Sequence, residues 1–181
     1  MHTEKAKSHV DRRQFIAGST AAIALMTIID SAVLHTTEAW GLEVKNLKPE
    51  TMRTLIKMAR DIYPHDRIAD EFYAIACKTY DEKSATDPKL KVVCENGVAH
   101  IDSLAQDVHR RPYAAVAWEA ERVALLNQVS DGELFKKLRS DLVVSLYNQK
   151  AIWPIFGYEG ESASKGGYIN RGFNDVTWTD G

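Results

Sequence analysis

From Met52 to Leu146 the apolar residues recur every third or fourth position, and over no useful length do they alternate with period two. That rhythm fits one face of an α-helix and not a half-buried strand. The chain is therefore predicted to be all-α, a compact bundle of about five helices. Pro49-Glu50 opens the first, because a proline at the first helical position gives up an amide that would have no partner anyway. Met52, Leu55, Ile56, Ala59, Ile62 and Tyr63 carry this helix to Pro64. Ile68, Phe72, Ile75, Ala76 and Thr79 make a second stripe, and Leu90, Cys94, Gly97, Ile101, Leu104 and Val108 a third. Val116, Ala117, Ala120, Val123 and Ala124 make the fourth. Ser130, three residues before Glu133, reads as a capping box for a fifth helix bearing Leu134, Leu138, Leu142 and Leu146.

The rhythm stops after Lys150. Residues 151–181 hold six of the chain's ten glycines and six of its sixteen aromatic residues. Such a segment is too aromatic for a disordered linker. Its rings need pockets, either on its own helical domain or on another protein. Three parts follow: residues 1–39, a helical domain over 40–150, and a Gly/aromatic-rich docking tail over 151–181. The candidate partner interface is Trp153, Phe156, Tyr158, Tyr168, Arg171, Phe173, Asp175 and Trp178. The alternative is that the tail folds back to complete the small domain's own core.

The first part begins polar, then places Arg12 and Arg13 just before Phe15, Ile16 and an uncharged run to Ile29. A basic segment followed by a modest apolar run is the layout of an export signal, and the paired arginines mark the twin-arginine variant. The run has no polar face for an amphipathic core helix. It also falls short of the roughly 20 residues of a membrane span. Thr37-Glu38-Ala39 is the best cleavage site, imperfect because of Glu38, so an uncleaved anchor stays open.

The sequence offers little chemistry of its own. Net charge is −2 and beyond the leader basic residues adjoin only in short pairs such as Arg110-Arg111, which gives no positive face for a nucleic acid. Motifs for haem, zinc, nicotinamide and phosphate loops are absent, as is a nucleophile elbow. Of the histidines after residue 40, His65 lies in YPHD, where it could pair with Asp66 as a metal ligand or base, or simply form a polar corner after Pro64. His100 lies near a helical stripe, and His109 sits with Arg110 and Arg111 in a solvated turn. Cys77 and Cys94, on successive predicted helices, form a candidate disulfide in an exported protein, the alternative being two buried thiols. A folded-protein export route combined with no visible cofactor site suggests a chain that travels against a cofactor-loaded partner.

The stretches DRRQFIAG, ARDIYPHD, LYNQKAIWPIFGYEG and GGYINRGFNDVTW together resemble the gluconate 2-dehydrogenase subunit 3 family, from the leader to the C-terminus. These are the small subunits of periplasmic flavoprotein dehydrogenases. The resemblance implies no catalytic residue and no cofactor in this chain. It implies FAD in a separate catalytic subunit of the glucose-methanol-choline class, a cytochrome c subunit in some complexes, and a role in export and maturation. It also implies a periplasmic location, with membrane association through the complex or an uncleaved signal. Some relatives link small and large subunits by a disulfide. Two other classes stay open: a self-sufficient exported enzyme or metal protein using His65 and Asp66, and a periplasmic ligand-binding module.

Overall fold

The computed structural model describes residues 44–169. Among them are five α-helices, named here α1 (Pro49–Ile62), α2 (Asp70–Ser84), α3 (Pro88–His109), α4 (Glu119–Gln128) and α5 (Glu133–Ser145). Short 3-10 turns lie at Tyr113–Ala115, Lys150–Phe156 and Ser162–Lys165, and no strand occurs among the described residues. The all-α expectation holds. No helix among these residues is long and apolar enough to cross a membrane.

The first of the described helices is the hub, because α1 packs against each of the other four and against the 3-10 turn at Tyr113. Its small and flexible side chains make this feasible. Met52, Leu55, Met58 and Ala59 are at most 2 % exposed, and Thr51 and Thr54 are buried beside them. On the other side of the core α5 contributes Leu134, Leu138, Leu142 and Leu146, a strict four-residue repeat that keeps one narrow stripe inward.

Two of the apolar stripes are differently phased from the sequence pattern. In α2 the buried face is Tyr73, Ala76, Cys77, Tyr80 and Ser84, while Ile75 is 51 % exposed. The tyrosines can go inward because their hydroxyls find acceptors: Tyr73 donates to the Tyr63 carbonyl at 2.6 Å and Tyr80 to Asp141 Oδ2 at 2.8 Å. In α4 the buried residues are Arg122, Leu125 and Leu126, and the alanines expected inside flank them or face out. The expected capping box does not form. Gly132 occupies the N-cap of α5, and Ser130 Oγ donates backwards to the Asn127 carbonyl at 2.8 Å.

The buried charge of Arg122 is answered in full. Its guanidinium grips Asp61 with two bonds, Nε to Oδ2 at 2.7 Å and Nη2 to Oδ1 at 2.8 Å. Its remaining reach goes to the carbonyls of Val116 and Ala117. Tyr113 donates to the same Asp61 Oδ2 at 2.7 Å. The hydrogen bonds to Asp61 raise the Arg122 pKa, and burial followed by the Asp61 charge raises that of Tyr113. This triad ties the end of α1 to the 3-10 turn and to α4.

The start of the described chain is held by Asp81. Its carboxylate accepts the amides of Lys45 at 3.0 Å, Asn46 at 2.8 Å and Leu47 at 2.8 Å. Burial opposes ionisation of this group, but the three amides and the Asn46 side chain outweigh it and hold the pKa below its ordinary 3.8. A folded pKa below the unfolded one stabilises the fold above the unfolded value, and that stability drains away as pH falls through the folded value. Asp81→Asn is therefore expected to lower stability at neutral pH by about 1–2 kcal/mol and to flatten its decline below pH 4. Urea titrations across pH 2–7 check this; an unchanged acid slope would remove Asp81 from the account.

Cys77 and Cys94, the candidate disulfide, are free thiols. Both are wholly buried, and Cys77 Sγ donates to the Leu55 carbonyl of α1 at 3.7 Å instead of meeting the other sulfur in a bond. Burial pushes the Cys77 thiol up to about 12, and burial with the nearby Glu95 carboxylate pushes Cys94 up to about 11. Thiols so strongly protonated are poor nucleophiles and oxidise slowly.

Candidate partner-docking site

The corner after α1 is built by Pro64, which cannot extend a helix and forces the residue before it toward extended backbone. Tyr63 accordingly has φ −126° and ψ 75°. A reversal this abrupt leaves carbonyls without helical partners, and Arg60 collects them: one of its guanidinium nitrogens donates to His65 O at 3.1 Å and Ile68 O at 2.7 Å. The same guanidinium lies 5.3 Å above the Tyr73 ring and 3.4 Å from Asp70. His65 is thus held by its own backbone.

The His65 ring meets the start of the tail. His65 Nε2 lies 2.6 Å from the Tyr147 hydroxyl. Tyr147 also packs edge-on to Tyr63, with centroids 5.8 Å apart. Phe156 closes the group, 5.3 Å from His65 and 5.9 Å from Tyr147. The backbone leading to Phe156 is fixed in turn. Gln149 donates to the carbonyls of Phe72 and Ser145, each at 2.9 Å, and Trp153 Nε1 donates to Tyr147 O at 2.9 Å. Gly157, at φ 71°, then reverses the chain so that the Tyr158 amide reaches Trp153 O at 2.9 Å. A side chain there would be strained in the left-handed region. Tyr158 returns onto Trp153 with centroids 5.1 Å apart.

Two sequence stretches, the YPHD corner and the WPIFGY turn, are thereby one structure. The expected interface residues divide within it. Trp153 is half-buried and anchored on its own domain, so this part of the tail does fold back. Phe156 and Tyr158 remain 49 % and 50 % exposed and Tyr168 67 %, which leaves three rings toward solvent. Arg171, Phe173, Asp175 and Trp178 lie outside the described residues, as do the leader residues Arg12, Arg13 and Phe15. Asp66 is exposed, and no hydrogen bond or ion pair joins its side chain to the His65 ring among the described residues. No group of three or more His, Cys, Asp or Glu that could hold a metal ion occurs among the described residues. His100 is exposed, and His109, read as part of a solvated turn with Arg110 and Arg111, ends α3 with Nδ1 3.8 Å from Glu121 of α4 while both arginines are exposed.

The sequence places Tyr63 only in the first helical stripe and does not single out Tyr147, although both lie in the quoted stretches. Their signal is a ring placed beside a proline or at the end of a leucine repeat, and that signal does not name a partner. Comparison of the chain with models of known families, with curated proteins and with solved structures finds no match.

Proposed function

We propose that this chain is a non-catalytic small subunit, an escort for a periplasmic FAD-dependent dehydrogenase of the glucose-methanol-choline class, as its likeness to the gluconate 2-dehydrogenase subunit 3 family implies. The escort carries the twin-arginine leader, and the flavoprotein that binds it holds the FAD and the reacting groups and travels with it. The partner's substrate is a sugar or alcohol, and a cytochrome c subunit receives the electrons where the complex includes one. The observation that supports this reading is the joined corner and turn. Its backbone is pinned by the Arg60, Gln149 and Trp153 hydrogen bonds, while Phe156 and Tyr158 stay half in water. A fixed scaffold that displays large rings is the form of a protein-docking anchor, since ordered aromatic side chains lose little entropy on binding and dominate many interfaces. His65, whose ring is occupied by Tyr147 and Phe156, acts in this reading as a structural part of that scaffold.

The test is a change at the other end of the chain. Converting both Arg12 and Arg13 to Lys removes the planar guanidinium that lysine does not reproduce. Both this chain and a flavin-containing dehydrogenase are then expected to vanish from the periplasmic fraction. If the flavoprotein reaches the periplasm in undiminished amount while this chain stays behind, the escort role fails. If this chain is itself exported as before, the twin-arginine assignment fails.

A further inference from the structure

The described chain leaves off in a reversal. After the 3-10 turn Ser162–Lys165, Gly166 and Gly167 both adopt left-handed backbone, with φ 83° and 76°. The Gly167 amide returns to the Ser162 carbonyl at 2.8 Å, and Lys165 ties the same turn to Glu159 at 2.9 Å. Tyr168 and Ile169 follow, 67 % and 82 % exposed. Residues 170–181 lie outside the described residues, but the position of Gly167 limits where they start. Arg171 is four residues further on, at most about 14 Å of extended chain. It is therefore confined to the neighbourhood of Ser162 and the adjoining Glu161.

That neighbourhood includes an open apolar surface. Val143 and Val144, on the outer side of α5, are 54 % and 65 % exposed. With Trp153 and Tyr158 they line a shallow groove of about 430 Å³, which Asn148 and Glu161 also line. Val143 lines the neighbouring groove too, with Arg139, and so stands between the two charges. Neither Glu161 nor Arg139 has an ion partner among the described residues. The surface thus runs from carboxylate through valines to guanidinium. In an extended chain every second side chain shares a face, and from Arg171 that face holds Arg171, Phe173 and Asp175. Guanidinium, ring and carboxylate stand there in the complementary order.

We propose that the start of the 170–181 segment lies extended across this groove, with Arg171 on Glu161, Phe173 on Val143 and Val144, and Asp175 on Arg139. A second copy or another protein would have to bring the same three groups from solution. The tail brings them on a tether of a few residues, at an effective concentration on the order of millimolar. The inference goes beyond the escort reading and does not depend on it. It gives Arg171, Phe173 and Asp175 to the chain's own domain and leaves Phe156, which does not line this groove, for a partner.

Thiol labelling of the full chain with iodoacetamide tests this. Cys77 and Cys94 are buried and firmly protonated, so under native conditions the reagent reads an introduced thiol, and labelling of either native cysteine exposes a variant that has not folded. The thiol of Val144→Cys is expected to react about tenfold or more slowly than that of Val108→Cys, at an equally exposed valine on α3, because only the minor open population is accessible. Adding Phe173→Ala or Arg171→Glu to Val144→Cys speeds its reaction several-fold and leaves Val108→Cys unchanged. Combining Arg171→Glu with Glu161→Arg restores the slow rate, which a merely structural loss would not do, and this charge exchange decides the matter if Phe173→Ala fails to fold. All of these rates are independent of protein concentration. Protection that is lost on dilution would overturn the proposal in favour of a second copy of this chain. Protection indifferent to both Phe173→Ala and Arg171→Glu would overturn it in favour of another occupant, and equal rates for Val144→Cys and Val108→Cys would show the groove open.

Discussion

Asp61→Ala is expected to destabilise the protein by about 3–5 kcal/mol, a large share of the roughly 5–15 kcal/mol that holds a domain together. The carboxylate is the one anion in direct contact with Arg122 among the described residues, Arg122 is 5 % exposed, and the same carboxylate accepts the Tyr113 hydroxyl. Its loss strands a guanidinium where water cannot reach it and orphans a phenol. Arg122→Met is expected to cost nearly as much, because it strands Asp61 and frees the carbonyls of Val116 and Ala117 that the guanidinium had satisfied. The Asp61→Leu/Arg122→Met pair should recover part of the loss, since an apolar replacement of a whole buried ion pair avoids the unpaired charge. Urea unfolding of the three variants measures this directly. Single variants within 1 kcal/mol of wild type would show that the triad is solvated in a way its burial does not suggest.

The second large effect is at Gly97 on α3, where the approach to α5 depends on the absence of a side chain. A Cβ at this position would lie 2.5 Å from Leu134 Cδ2 and 2.6 Å from Leu134 Cβ. The Leu134 Cβ is fixed to the α5 backbone, so rotating the leucine does not clear it and the helices must separate. Gly97→Ala is expected to destabilise by about 1–3 kcal/mol, the range for overpacking, outweighing the gain in helix propensity of about 1 kcal/mol. In a Leu134→Gly background, which removes the contacted Cβ along with the rest of the side chain, the same change should cost distinctly less. A double-mutant cycle by thermal or urea unfolding gives the coupling; purely additive effects would mean that α3 and α5 do not meet as closely as this.

The leucines of α5 were legible because each is large, apolar and four residues from the next, so no other face of that helix competes. The phase of α2 was not, because its inward face is written in Tyr73, Cys77, Tyr80 and Asp81, residues with polar tips that an apolar count passes over, while exposed Ile75 counts fully. Asp61 and Arg122 were invisible for a related reason. Each charge read alone belongs in water, and what buries them is a bond between residues 61 positions apart. At the docking site the two stretches were recognisable as unusual. What lay beyond the sequence was their meeting, since His65 and Tyr147 are separated by 82 positions. Val143 and Val144 showed a trace in advance: they break the polar outer side of a helix whose apolar stripe is already complete.

The hub position of α1 carries a consequence for synthesis. The ribosome releases this helix before the other four described ones, yet the leucines that cover its inner face arrive with α5, some 80 residues later. At about 5–20 residues per second the interval is on the order of ten seconds. Throughout it Met52, Leu55 and Met58 have only part of their eventual surroundings, and Asp61 waits for Arg122. A nascent chain in that condition is sticky to any apolar surface nearby. The packing around α1 is complete only after Leu146 has left the exit tunnel, so full burial of its inner face waits for the last of the five described helices to be made.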